Sequence, residues 1–597
     1  MKATVLRILL LLCLPYCTTT VACAESKTLR LAMSGAETSF DPAAQSEEAT
    51  LSFTENFFDP LLQYDYLARP AKVIPNTAET MPLVSEDGRT YTFRIKKGIY
   101  YIPDPAFKGA RRELVAADYA YSLKRLFDPK VKSPWLFLLE GKIVGADAAM
   151  QRAKAHDKFD YDAPIDGIEA IDRYTLRLRL KGPDYNLLYI LATPATGAVA
   201  REVVEAYGDD FAAHPVGTGP YRLKEWKRAS KIVIEANPDY RNVTFDPQEP
   251  GEPADQEIIA AIKGKRIPMI ETIEVYVIEE NQPRYLAFLD AEHDYLDFLS
   301  PEFVPVAMPD GKLAPSLAAR GIRLYPEQSQ ETWYTFFNME DPVVGGYSAE
   351  KVALRRAISL AFDTDQELRI IRKNLGVKAQ TPIPPGVAGY DPEFRSPTGV
   401  YDPARAKALL DTYGYTDRDG DGYRELPDGK ALTIEYASPD DSFGRQYDEL
   451  WQKCLRAIGI RMSVRTGRVP DLRKAARLGK LQMRTDAWRA DYPDGENFLQ
   501  LLYGPNTGQE NYARFQLPEY DRLYEQARQL PDSPQRQELY RRMTGLMLVY
   551  APWKLGIHRQ RPALVHPWVI GYKKHPNSAV PWRYLDIDVE MRRRALH

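Results

Sequence analysis

Alternating and helix-spaced hydrophobic residues recur along the whole chain. Residues 90–96 and 176–181 alternate strictly between polar and apolar side chains, which predicts two half-buried strands. Residues 119–127 place apolar side chains at helical spacing and predict an amphipathic helix. Ser533 followed by Pro534 is typical of an N-cap and a first helical residue. Because predicted strands and helices interleave, the pattern indicates an α/β or α+β protein.

Composition and charge narrow the class of protein. The 597 residues are 44% hydrophobic and 27% charged, which is ordinary for a globular protein of several domains. Lysine and arginine number 79 against 82 aspartates and glutamates, a net charge of −3. A nearly neutral chain has no bulk electrostatic attraction for nucleic acid or an anionic membrane. We therefore expect no nucleic-acid partner.

The N-terminal residues follow the order of a secretory signal peptide. A positively charged start precedes the apolar run 8–14, and small residues ending at Ala24 follow it. This order predicts a cleavable signal peptide over 1–24, since the run is shorter than the ~20 apolar residues that span a bilayer. The alternative is a lipid anchor on Cys23, which is less favoured because Thr20 stands where leucine is expected. We expect a periplasmic protein.

Motifs of common catalytic and cofactor sites are missing from the sequence. It contains no H-E-x-x-H, G-x-S-x-G or C-x-x-C motif and no loop ending in G-K-S/T, so the usual zinc, serine-hydrolase, redox and nucleotide signatures are lacking. The seven histidines are scattered, and no two have the spacing of metal ligands. We therefore expect no cofactor.

Residues 417–428 have the acid spacing of an EF-hand loop. Asp417, Asp419 and Asp421 stand at the first, third and fifth positions, where such a loop places calcium ligands. The twelfth position is Asp428 rather than the usual bidentate glutamate, and the residues after it alternate like a strand. The pattern favours a polar turn, with a calcium site at these four aspartates as the alternative.

A second group of acids surrounds two aromatic residues near the C-terminal third. The acids are Asp486, Asp491, Asp494 and Glu496, and the aromatic residues are Trp488 and Tyr492. A carboxylate pair could act in general acid–base catalysis. The group could equally be a solvated loop, or one carboxylate could pair with a cationic ligand. Spacing alone does not separate these three interpretations.

Six short motifs follow one another along the chain. They are SFDPA at 39–43, SEDGRTYTFRIKKG at 85–98, AADYAYSLKR at 116–125, PVGTGPY at 215–221, RRAI at 355–358 and WRADYPD at 488–494. In this order they resemble the motifs of the family 5 solute-binding proteins of bacterial ABC importers, the oligopeptide- and dipeptide-binding group. Gly495 and Thr364 depart from the family pattern without affecting the fold assignment.

The resemblance implies an α/β, two-lobe periplasmic-binding-protein fold, type II and cluster C-like, with an extra third domain. Domain I would be a discontinuous lobe made of 25–72, 192–312 and 551–597. Domain II would be the insertion 73–191. Domain III would be the second lobe, 313–550.

The function implied by the resemblance is that of a receptor without enzymatic activity. It would capture a peptide between two hinged lobes and deliver it to the permease and ATPase subunits at the inner membrane, acting as a monomer. In peptide-binding members, the acid at the position of Asp491 holds the peptide α-ammonium. An ammonium in a closed cleft needs a paired charge, because an unpaired buried ion costs several kcal/mol. The peptide backbone is expected to be held like an added strand.

The predicted ligand-binding set extends beyond Asp491. It comprises Asp491, Trp488, Tyr492, Tyr334, Phe336, Asn338, Gln45, Ser46 and Glu48. Tyr334, Phe336 and Asn338 match a family strand near the cleft, where alternation would place one face in the core and the other on the ligand.

Two alternatives to a peptide receptor stay open. The same receptor could bind a non-peptide ligand such as an oligosaccharide, an opine or a chelated metal. A periplasmic hydrolase could use the carboxylates between Asp486 and Glu496, although that interpretation lacks a nucleophile and a metal set.

Overall fold

The computed structural model describes residues 26–247, 252–397 and 399–596. The predicted signal peptide 1–24 and its alternative lipid site Cys23 lie outside the described residues. Within the described ranges, no helix combines the length and the apolar character needed to cross a membrane.

Two sheets are assembled from distant parts of the chain. The four-stranded sheet has the order Thr28–Met33, Thr272–Val277, Lys231–Ala236, Tyr221–Lys227. The three-stranded sheet places Ala563–Val565 between Tyr295–Leu296 and Arg323–Tyr325. N-terminal, middle and C-terminal residues therefore share one lobe, as a discontinuous first lobe requires.

A separate antiparallel sheet forms within the segment predicted as an insertion. Its order is Leu83–Val84, Thr90–Arg94, Thr175–Arg179, Ile168–Asp172. The two strands predicted from alternation are confirmed, since Tyr91, Phe93, Leu176 and Leu178 are all buried. The predicted helix is confirmed as Ala116–Arg125, which packs on this sheet.

The largest sheet has six strands and forms the centre of the second lobe. Its order is Gly376–Lys378, Trp553–Gln560, Gln328–Phe337, Met483–Arg489, Thr433–Pro439, Arg461–Gly467. Trp553–Gln560 thus joins this sheet although it follows residue 550, the end predicted for domain III. The domain boundaries stay a prediction.

One strand of this sheet leaves part of an edge open. Met483–Arg489 pairs along its whole length with Gln328–Phe337. With Thr433–Pro439 it pairs only at Met483 and Arg484. Residues 485–489 therefore have no partner on that edge among the described strands.

Helices connect and pack against the strands. Those of eight or more residues are Glu48–Phe57, Ala116–Arg125, Ala146–His156, Asp255–Ile262, Asn281–Leu289, Ala349–Ala361, Pro403–Thr412, Ser442–Ala457, Val469–Arg477, Pro518–Ala527, Pro534–Tyr550 and Val589–Leu596. The helix start predicted at Ser533 is confirmed, because its Oγ accepts a hydrogen bond from the Arg536 backbone N–H at 3.2 Å. Shorter strand pairs join Leu62–Tyr64 to Val73–Pro75, Val243–Thr244 to Arg266–Ile267, and Val569–Ile570 to Asp586–Ile587.

Candidate ligand-binding site

A cavity of about 640 Å³ lies between the two lobes. The first lobe and the inserted domain contribute residues near 46–51, 134–137, 193–194 and 576–579, and the second lobe contributes residues near 331–333, 436–447, 469–491 and 510–512. The volume falls within the range of about 300–1,000 Å³ that is usual for ligand pockets.

Eight consecutive residues of the second lobe line this cavity. They run from Arg484 to Asp491. Side chains of a strand alternate between its two faces. Consecutive residues therefore line one cavity together only where the edge of the strand, and not one of its faces, borders that cavity. It is the edge that Thr433–Pro439 leaves unpaired beyond Arg484. The cavity therefore offers backbone donors and acceptors to a ligand.

Asp491 follows the end of this strand and is held by an amide. The Nδ2 of Asn497 donates to the Asp491 Oδ2 at 2.9 Å. The Asp491 backbone N–H and the Trp488 indole Nε1 both donate to the Asn497 Oδ1, at 3.1 and 2.9 Å. One side chain thus orients both the acid and the neighbouring aromatic residue. The sequence analysis missed Asn497, since no motif spacing connects it with Asp491.

Asp491 differs from the other acids of the cavity wall. Glu48, Glu331, Asp486 and Glu510 each pair with an arginine, and the Asp441 carboxylate accepts the Gly444 backbone N–H as the cap of a helix. Asp491 forms no ion pair with any described residue. Burial, which the Asn497 hydrogen bond only partly offsets, raises its pKa to about 7. The site therefore holds one carboxylate whose charge lacks a partner.

Three more residues of the predicted set line the cavity: Trp488, Ser46 and Glu48. Glu48 accepts from Arg489 at 2.7 Å and from Arg561 at 2.9 Å. Burial opposes the ionisation of Glu48, but these two guanidiniums outweigh it and hold its pKa well below the usual range. The pair with Arg489 joins the two sides of the cavity.

The other five predicted residues do not line the cavity. Tyr334 stacks on Trp553, Phe336 is fully buried, Asn338 donates to the Gly479 carbonyl, the Tyr492 hydroxyl bonds to Glu496, and Gln45 accepts from the Thr38 hydroxyl. On the strand Gln328–Phe337, Glu331 and Trp333 line the cavity. Tyr334 is the next residue after Trp333 and therefore points to the opposite face of the sheet. Ligand contact by these five stays an untested prediction.

Of the four acids from Asp486 to Glu496, Asp486 and Asp491 line the cavity, whereas Asp494 and Glu496 do not. Asp494 accepts from Arg536 at 2.6 Å and from the Tyr540 hydroxyl at 2.6 Å. Glu496 bonds to the hydroxyls of Tyr492 and Tyr524. Both carboxylates are buried and already have partners.

The segment 417–428 folds as a polar turn whose acids contact the protein itself. Asp417 accepts the backbone N–H groups of Gly420 and Gly422 at 2.8 and 2.9 Å. Asp421 pairs with Arg461, and Asp428 pairs with Lys430. Carboxylate oxygens of Asp417, Asp419 and Glu425 come within 4.8 Å of one another, a group that does not include Asp428. The strand predicted after the turn is confirmed as Thr433–Pro439.

These features can be compared with known proteins. Residues 72–510 match the family model described as bacterial extracellular solute-binding proteins, family 5 Middle. The chain belongs to this family. The resemblance inferred from the six motifs is therefore confirmed, and the family is one of solute-binding proteins.

Individual relatives cover nearly the whole chain. Di/tripeptide-binding protein 2 of Pseudomonas aeruginosa is 28% identical over 593 residues, 97% of this chain and 98% of the relative. Heme-binding protein A of Haemophilus influenzae is 24% identical over 499 residues, 83% of this chain and 80% of the relative. The periplasmic binding protein DppA of Helicobacter pylori in complex with the peptide STSA, a solved structure, has a TM-score of 0.73 at 21% identity, covering 94% of this chain and 98% of its own. This likeness confirms the two-lobe fold.

Proposed function

We propose that the protein is the periplasmic receptor of an ABC importer and binds short peptides between its lobes. Delivery would be to a permease and ATPase pair at the inner membrane, with the mature chain starting at Glu25. Membership of the solute-binding family supports the receptor role. The observation that carries the choice of a peptide is the unpaired carboxylate of Asp491.

A peptide α-ammonium suits this carboxylate in charge and in geometry. It brings a positive charge and three N–H donors to an acid that the described residues leave without a cation. Asn497 fixes the carboxylate before the ligand arrives, so little conformational freedom is lost on binding. A ligand without a cationic group would leave Asp491 unpaired, which disfavours neutral sugars and purely anionic ligands.

The open strand edge next to Asp491 suits a peptide backbone. An extended peptide that adds to residues 485–489 would hydrogen-bond through its main chain, whatever its side chains are. The cavity volume of about 640 Å³ suits a ligand of a few residues. We propose no catalytic step, because Asp486, Asp494 and Glu496 are already engaged by the protein.

Calorimetry of a double change tests the proposal. Asp491→Asn should weaken dipeptide and tripeptide binding by about 30-fold to several thousand-fold, the range for breaking one side of a buried charge pair. Acetylation of the peptide N-terminus should cost the wild type a similar factor. The two losses should not add, because both delete one interaction.

Asp440→Asn is the matched control. Asp440 is an exposed acid beside the cavity wall and does not line the cavity, so this variant should bind like the wild type. Additive losses, or full-strength binding of the acetylated peptide, would contradict the assignment and point to a non-peptide ligand.

A further inference from the structure

One face of the helix Val469–Arg477 lines the cavity. Val469, Arg473 and Arg477 are four residues apart and all contribute to the wall. Residues at this spacing lie above one another on a helix of 3.6 residues per turn. The helix therefore presents two guanidinium groups to the ligand space, one turn apart.

The acids that pair with these arginines lie deeper than the arginines. Arg473 Nη2 is 3.3 Å from Asp486 Oδ1, and Arg477 Nη2 is 2.8 Å from Glu510 Oε1. Each arginine side chain is 48% exposed, whereas Asp486 is 5% and Glu510 is 18% exposed. The cationic groups therefore face the cavity while the carboxylates lie behind them.

Positive charge is in excess on this wall. Arg484, which also lines the cavity, contacts the same Asp486 and is only 3% exposed. Three guanidiniums thus share two carboxylates. The Asp486 carboxylate accepts hydrogen bonds from Arg473, from Arg484 and from the Ala487 backbone N–H, the last at 2.9 Å. Arg484 Nε has no hydrogen-bond partner among the described residues.

We propose that Arg473, Arg477 and Arg484, here called the arginine wall, form a subsite for a side-chain carboxylate in the first two residues of the bound peptide. This inference rests on the proposed function, because the ammonium at Asp491 sets the position of the peptide. Arginine suits the role since its planar fork matches a carboxylate in a bidentate way.

The arginine wall and Asp491 line the same cavity. Glu510 pairs with Arg477. The negative charge of Glu510 also raises the pKa of Asp491, although less than burial does. A ligand held at Asp491 would therefore extend within the cavity that the wall also borders.

Matched peptides that differ only in charge test the subsite. Calorimetry at pH 8, where Asp491 is ionised, would compare Glu-Ala with Gln-Ala, Ala-Glu with Ala-Gln, and the corresponding tripeptides. We expect the glutamate peptide to bind at least about tenfold more tightly at one of the two positions, as for a charge-assisted hydrogen bond. Arg473→Gln should remove this preference and leave the affinity for the glutamine peptide nearly unchanged.

Two further variants separate the proposed contact from general effects. Arg473→Lys keeps the charge without the fork and should retain part of the preference. Arg468→Gln removes an exposed arginine that lies just before the same helix and pairs with Asp471. This variant should retain the full preference for the glutamate peptide. Unchanged thermal unfolding of Arg473→Gln would show that the helix is intact.

Some results would overturn the subsite. Equal affinity for glutamate and glutamine peptides, with binding still dependent on Asp491, would remove the subsite and leave the receptor proposal standing. Loss of binding on C-terminal amidation, with no effect of the Glu/Gln exchange, would assign the arginine wall to the ligand's C-terminus instead. Failure of every peptide to bind the wild type would overturn the proposal that the ligand is a peptide, and the subsite with it.

Discussion

Peptide affinity should depend on pH through the ionisation of Asp491. Burial raises the pKa of this carboxyl to about 7 in the ligand-free protein. Only the ionised form can pair with an ammonium, so the proton must leave when the ligand binds. The bound ammonium then holds the pKa of Asp491 well below 7, as an opposite charge at close range does.

Linkage sets the size of the effect. The observed association constant follows the product of the ionised fraction of Asp491 and the protonated fraction of the peptide amine, so it should fall about fourfold from pH 8 to pH 6 and about 40-fold from pH 8 to pH 5. About 0.4 of a proton should be released, net, per peptide bound at pH 7, and about 0.9 at pH 6. Above about pH 7.5 the affinity should fall again, because the peptide α-amino group has a pKa of about 7.7–8.0.

Calorimetry in buffers of different ionisation enthalpy measures both quantities. The wild type should show a bell-shaped affinity profile with its maximum between about pH 7 and pH 8. Asp491→Asn should lose the acid limb and keep the basic limb, since the ligand's own amine still titrates. Asp440→Asn should keep both limbs.

A flat affinity profile between pH 5 and pH 8 in the folded wild type would refute this reasoning. It would mean that Asp491 stays ionised without a ligand, or that it is not the ammonium partner. An acid limb that survives in Asp491→Asn would assign the proton to another group.

Two further predictions concern the second lobe. Arg536→Met should lower the free energy of unfolding by about 3–5 kcal/mol, because Asp494 would lose its buried cation; the Asp494 and Arg536 side chains are only 4% and 3% exposed. Urea denaturation measures this change, and an unchanged midpoint would contradict the prediction. Chelation of divalent ions should leave the melting temperature unchanged if 417–428 is only a turn, whereas a large fall reversed by Ca²⁺ would show a bound ion, which stabilises by mass action.

Local patterns predicted what depends on local physics. The strand at Thr90–Arg94 and the helix at Ala116–Arg125 followed from periodicity alone, because burial of one face determines both. The alternation at Tyr334 and Phe336 predicted two faces but not which face meets the ligand. A shift of one residue exchanges the faces of a strand, and only the packing of neighbouring strands decides between them.

The residues around Asp491 show where sequence-based inference ends. The motif at 488–494 predicted ligand contacts at Asp491 and Trp488, and both line the cavity, Trp488 within the strand Met483–Arg489 and Asp491 just after it. Asn497 and Arg473 reach the same place from other elements. Their roles depend on the turn after Asp491 and on which face of the helix Val469–Arg477 meets the cavity, and both depend on tertiary packing.

The charges of the cavity wall give the two lobes a reason to close on a ligand. Most lining acids and arginines neutralise one another, but Asp491 has no ion-pair partner among the described residues and the arginine wall carries a positive excess. Closure of the lobes removes water from the cavity. The interactions of Asp491 and of the arginine wall with charged groups of a ligand then become stronger, because charges interact more strongly at low dielectric. A ligand with an ammonium and a carboxylate at the right separation would satisfy both at once, whereas a ligand with one of them would leave a charge unpaired. Such a ligand therefore favours the closed state most, and differential affinity of this kind is what shifts an open–closed equilibrium.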